Sequence, residues 1–312
     1  MSFSNIISRS DAAALIPEDV APDIIKRTTE QSAALTLFRH VAMSRNQQRM
    51  PVMAALPVAY FVNGDTGIKQ TSEAGWSNKY LNVEEIAVIV PVPEAVLDDA
   101  AFDIWGEVRP FIAEAIGRTL DAAIFFGVNK PATWPNAIVA DATTSGNVVT
   151  EGTATPELGG VAGDISDLFA TVEADGYDVN GLVAARKFKG LLRNARATTG
   201  ESLGAADGIT ASQAYGVDIQ YPMRGLWPTG AGAAEMIAGD FTQGILGIRQ
   251  DLTWKILDQA VIQDNAGVIQ YNLAQQDSVA MRVVARYAWQ VAGTPTPENI
   301  AGAYPFGVMK GA

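Results

Sequence analysis

Cysteine is absent from the 312 residues, and histidine occurs once, at position 40. The first absence removes a disulfide framework, thiolate metal sites and cysteine nucleophiles, so robustness must come from packing and association. The second leaves only His40 as the base of a serine triad, and no Gly-x-Ser-x-Gly elbow exists to carry the nucleophile. His40 reads as a satisfied structural histidine. Charge is also scarce: 18% of residues are Asp, Glu, Lys or Arg, against about 25% in an average soluble chain. That is little for covering a lone subunit, and it points to surface covered by other protein. Positive charge is scarcer still, with 22 bases against 34 acids and a net charge of −12, the wrong sign for tight neutralisation of nucleic-acid phosphates. No run approaches the roughly 20 apolar residues of a membrane span. The first ten residues lack a basic stretch followed by an apolar core, so the sequence reads as a soluble chain that keeps its N-terminus.

What is present is a globular composition, 48% hydrophobic with 29 glycines and 15 prolines, and enough length for roughly two domains. In residues 1–40, Pro17 and Pro22 break any long helix and leave an amphipathic piece over 23–39, so this part reads as an extended arm. Residues 50–62 and 80–92 are β-branched, aromatic and apolar, separated by the Gly-, Thr-, Ser- and Asn-rich 63–79, which spells a long hairpin. Pro51 and Pro57 demote its first arm to an edge. A two-stranded ribbon is at best marginally stable in water, so the hairpin should lie on something, such as a neighbouring subunit.

Residues 102–126 place Ile104, Val108, Phe111, Ala115, Leu120 and Ala123 near a 3.6 period, one long helix that Pro110 must begin or kink and Gly127 stops. Residues 141–163 read as a Thr-, Gly- and Ala-rich linker. Beyond it the pattern is mixed: helices over 165–174 and 187–195, a loop over 196–211, and strands over 181–185, 217–221, 235–238, 245–248 and 252–257. Residues 279–291 alternate apolar Val279, Met281, Val283, Ala285, Tyr287, Trp289 and Val291 with Arg282, Arg286 and Gln290, a half-buried strand.

The chemistry-bearing residues read blandly. Asp98 and Asp99 are taken as helix N-terminal charges, and Glu84 and Glu85 as a solvated strand face, because adjacent carboxylates point apart on a regular element. Arg186, Lys187, Lys189 and Arg193 read as one solvated helix face rather than a phosphate or partner contact. Neither a phosphate-cradling glycine motif nor a catalytic, metal or cofactor constellation is present, which leaves no support for an enzyme.

The order of elements resembles the HK97-type major capsid protein family of tailed double-stranded DNA phages. The resemblance rests on Leu15-Ile16-Pro17-Glu18-Asp19-Val20 in the N-arm, on Met50-Pro51-Val52 through Val88-Ile89-Val90-Pro91-Val92 in an extended E-loop hairpin with Glu73-Ala74-Gly75-Trp76 between, on the helix after Asp103-Ile104, and on Ala285-Arg286-Tyr287-Ala288-Trp289 in a late strand. It implies an α+β, HK97-like capsid fold: an N-arm (1–45), the E-loop hairpin with flanking peripheral-domain strands (46–94), a peripheral domain with spine helix and linker (95–163), an axial domain (164–271) and a return to the peripheral domain (272–312). It implies a structural protein that self-assembles into hexamers and pentamers of an icosahedral head enclosing double-stranded DNA, located in the virion and assembled in host cytoplasm. Partners implied are a portal, decoration proteins, DNA held without sequence-specific binding, and a scaffold protein that is separate from this chain or absent. The rivals are an encapsulin-type nanocompartment and an oligomeric α+β enzyme. Some relatives cross-link a hairpin lysine to a neighbour's asparagine; Lys69 or Lys79 with Glu298 and Asn299 would be the candidates, though no spacing aligns them. The expected inter-subunit contact at the hairpin's far end comprises Ile68, Lys69, Glu73, Trp76 and Lys79. There Ile68 and Trp76 would stand in water unless a neighbour covers them.

Overall fold

The computed structural model describes residues 31–62, 68, 69, 71–99, 103–155, 157, 159–196, 208–264, 266–298 and 303–312. The N-arm before residue 31 and most of the loop 196–211 lie outside these residues.

The alternating run near the C-terminus forms β12 (Ser278–Val291), which buries Met281, Val283, Ala285, Tyr287 and Trp289 on one face. Burying both of its edges makes β12 the centre of a five-stranded sheet. It pairs antiparallel with β9 (Gly244–Leu257) on one side and with β3 (Gly75–Pro93) on the other. β1 (Arg39–Ala42) joins β9 in parallel and β2 (Gln47–Ala55) joins β3, giving the order β1-β9-β12-β3-β2. Residues 245–248 and 252–257, expected as two strands, are one. A register shift around Arg286 absorbs the polar stretch between them as a bulge instead of a break.

β3 serves two partners in succession: Gly75–Asn82 pair with β2, and Val83–Pro93 pair with β12. The hairpin therefore leaves the sheet as a two-stranded ribbon, and Pro51 sits on its outer edge, where the missing N–H breaks no ladder. The second arm is longer, and the first shorter, than their composition suggests.

The long helix is present as α3 (Ile104–Asp121), running on into a π-helical turn (Ala122–Phe126) and ending at Gly127, whose φ of 74° only glycine adopts without cost. Pro110 lies inside it and neither starts nor stops it. Ile112, Ile116, Leu120 and Ile124, four residues apart, are all buried. Asp98 and Asp99 are not at its start: they end the short helix α2 (Glu94–Asp99), and Asp103 occupies the position before α3.

A second sheet has the order β4-β13-β8-β5-β7-β6. It is built from β4 (Val148–Thr150), β5 (Gly181–Ala184), β6 (Gln213–Ala214), β7 (Val217–Gln220), β8 (Ala234–Gly239) and β13 (Phe306–Lys310), while β10 (Val261–Gln263) and β11 (Ile269–Asn272) pair with each other as a separate hairpin. Adjacent residues face opposite sides, as strand geometry requires. Val183, Ile237 and Val308 join a core with Leu120, Phe125 and Trp289, while Leu182, Met236 and Met309 pack with Ile165, Leu168 and Phe188. The last three come from α5 (Val161–Ala174) and α6 (Phe188–Asn194). Residues 141–163, expected as linker, instead contain most of α4 (Ile138–Ser145) and all of β4; β4 gains its order from parallel pairing with β13. Two strands cross the segment boundaries expected from sequence: β9 pairs in the sheet of β12, and β13 in the sheet of β5 and β8.

Phe38 joins the two sheets. Its ring lies 5.0 Å from Trp289, 5.5 Å from Phe241, 5.9 Å from Phe125 and 6.4 Å from Phe306, centroid to centroid. It follows α1 (Ala33–Leu37), whose first N–H groups are held by the buried Asp121.

Candidate assembly surface

Register decides which side of the ribbon each residue takes. Gln48 faces Leu81, Met50 faces Lys79 and Val52 faces Ser77 on one side; Arg49 faces Tyr80, Pro51 faces Asn78 and Met53 faces Trp76 on the other. The first side is turned to the subunit. Leu81 and Val52 are buried, with Leu81 in a small cluster with Met43, Ile245 and Ala288. Lys79 Nζ donates to the Val291 carbonyl at 2.9 Å, and burial pushes this ammonium below its ordinary pKa, with the Asp141 charge pulling the other way. Lys79, expected at a neighbour, is thus engaged within its own chain. A cleft of about 410 Å³ between β1 and β2 is lined by Arg39, Met50, Leu81 and Ile245 and also takes in Arg49, Pro51 and Met53.

The opposite side faces solvent: Trp76 is 68% exposed and Tyr80 45%. Toward the hairpin's far end Ile68 is 87% exposed, and Lys69 and Glu73 are exposed as well. So the structure brings Ile68, Lys69, Glu73 and Trp76 to one open end and separates Lys79 from them. Sequence reasoning missed Val58 and Phe61, both exposed but in a stretch that reads as strand, and Tyr80, which the register places on the same side of the ribbon as Trp76. Asn299, the proposed cross-link acceptor, lies outside the described residues.

Other expectations change with geometry. His40 is an exposed residue of β1 rather than an enclosed one. Glu85 pairs with Arg286 through two nitrogens at 2.9 and 2.8 Å, and Glu84 accepts from Thr133. The basic run is not one solvated face: Lys187 pairs with Glu151 and Glu235, and Lys189 lies 4.3 Å from the centre of the Tyr221 ring. The described residues contain no group of metal-ligating side chains and no helix long and apolar enough to cross a membrane.

The ribbon thus ends in exposed Ile68 and Trp76. The phage capsid family matches residues 12–294. The chain belongs to the phage capsid family. A solved structure from Microbacterium phage Oxtober96 is similar at 38% identity with a TM-score of 0.83, covering 99% of this chain and 100% of that one. One from Mycobacterium phage Bobi is similar at 32% identity and a TM-score of 0.85, covering 99% of each. The curated major capsid protein of Staphylococcus phage 80alpha is 25% identical over 295 residues, 92% of this chain and 85% of that protein. The fold is thus the HK97-like capsid fold, and membership in the phage capsid family makes the protein a structural component of the virion, not an enzyme. Neither an encapsulin-type shell nor an α+β enzyme is favoured.

Proposed function

We propose that this capsid protein tiles an icosahedral head as hexamers and pentamers, enclosing double-stranded DNA without sequence-specific binding. A scaffold protein and a portal would act in host cytoplasm during assembly, and decoration proteins would bind the finished shell. In this reading the sheet around β12 with the spine helix is the peripheral domain, and the sheet of β5 and β8 is the axial domain. Ile68, Lys69, Glu73 and Trp76 contact a neighbouring subunit. The observation that carries it is the two-stranded ribbon: it is held to its own subunit on one side only, and exposed Trp76 and Ile68 would stand in water unless a neighbour covers them. Negative-stain microscopy of purified protein tests the reading. Closed shells or capsomer rings are expected, and they should be lost or loosened when residues 68–76 are replaced by a short Gly-Ser turn. A wild-type protein that stays monomeric under every assembly condition overturns it.

A further inference from the structure

The cleft between β1 and β2 joins an apolar floor to charge of one sign. Its volume is about 410 Å³, inside the range of roughly 300–1,000 Å³ that small-molecule pockets occupy. Buried Leu81 and Ile245 form the floor, and half-buried Val41 and Met50 stand beside them. The charged residues that line it, Arg39 and Arg49, are both exposed cations, and among the described residues no carboxylate lines it. That sign is local: residues 39–55 carry Arg39, Arg45 and Arg49 and no acid, in a chain of net −12.

The cleft exists because β1 and β2 are the two edge strands of their sheet, each paired on one side only. Left to water, its apolar floor is a site where burial would be favourable. A purely apolar ligand would leave the arginines unused, and a small anion alone would leave the floor wet. An alkyl chain with an anionic head satisfies both, whereas a lipid with two acyl chains is too large for this volume.

We propose that the cleft binds a single-chain amphiphilic anion of the fatty-acid class, with its alkyl chain over Leu81 and Ile245 and its carboxylate at the Arg39 guanidinium. Bound there, the ligand touches β1 on one side and the base of the β2–β3 ribbon on the other, so occupancy fastens the ribbon to its own subunit. The site lies within one chain and does not depend on the shell that the protein builds.

Titration calorimetry of the purified protein with hexanoate, octanoate and decanoate, each below its micelle-forming concentration, tests the site without assembly. Saturable binding of one chain per subunit is expected, tightening about fourfold for each added methylene. Octanoate should bind about tenfold more tightly than uncharged 1-octanol, because only the carboxylate meets Arg39. Arg39→Gln, a change at an exposed residue, should remove that tenfold preference and leave the affinity for 1-octanol unchanged, a split that general loss of structure would not give. Val41→Phe, which narrows the cleft, should weaken both ligands. Absence of saturable decanoate binding to the full chain overturns the proposal. So does 1-octanol bound as tightly as octanoate, or an Arg39→Gln protein that keeps the wild-type preference. Binding that appears only after deletion of residues 1–30 would give the cleft to the chain's own N-arm, and overturns it as well.

Discussion

Asp121 shows what a single side chain can organise. It is fully buried, and its carboxylate accepts from Ser32 Oγ at 2.6 Å and from the Ala33 and Ala34 N–H groups at 3.0 Å each, pinning α1 to the end of the spine helix. Burial pushes its carboxyl up from 3.8 to about 6, while the bonds from Ser32, Ala34 and Ala33 pull it down. A folded-state value above the unfolded one means the proton is held more tightly in the fold. The group's contribution is therefore complete below 3.8 and is lost as the pH rises through about 6. Asp121→Ala removes that dependence and strands three buried donors. It should cost about 3 kcal/mol or more at neutral pH, and its deficit against wild type should widen by about 1 kcal/mol on going to pH 5. Urea unfolding of both proteins at the two pH values measures this; a deficit that narrows in acid would contradict the assignment. None of it is written in the local sequence, because Asp121 and Ser32 are 89 positions apart.

At the scale of elements, close approach of backbones sets which substitutions are tolerated. In the pairing of β8 with β13, Gly239 lies opposite Phe306, and a Cβ there would overlap the Pro305 carbonyl oxygen and sit 2.9 Å from Phe306 Cα. Those are backbone atoms and cannot swing aside. Gly239→Ala should lower stability by about 1–3 kcal/mol. Gly190, inside α6, has nothing within 4 Å of the same position, so Gly190→Ala should be neutral or stabilise by up to about 1 kcal/mol through helix propensity. Thermal melts of the two variants should move in opposite directions, and equal losses would show that packing at β8 is not the cause. The elements that were legible in sequence, β12 and α3, carry their own periodicity over 14 and 18 residues. β13 and β4, with 5 and 3 residues, are too short to show one; β13 exists because it pairs with β8 and β4, and β4 because it pairs with β13.

For the whole molecule, the acidic balance predicts that the shell contains DNA without gripping it. Purified protein at physiological salt should give no saturable mobility shift of duplex DNA, since a chain of net −12 repels the phosphates it would have to neutralise. A shift that persists under those conditions would require a local basic surface strong enough to override the total. Arg39, Arg45 and Arg49 are the place to look for it.

The sequence alone determined what depends on composition and on local periodicity: no thiol chemistry, no strong basic field, a hairpin, a spine helix and a late alternating strand. It also carried the family likeness, because that likeness lies in the order of those elements. Tertiary structure decided what depends on pairing across the chain. Register turned Lys79 inward to Val291 while leaving Trp76 and Tyr80 on the open side. Sheet closure drew β9 to β12 and β13 to β8 across more distant stretches of sequence. A period of two tells a strand that it has two faces, but which face meets the core is fixed only by the partner strand it finds.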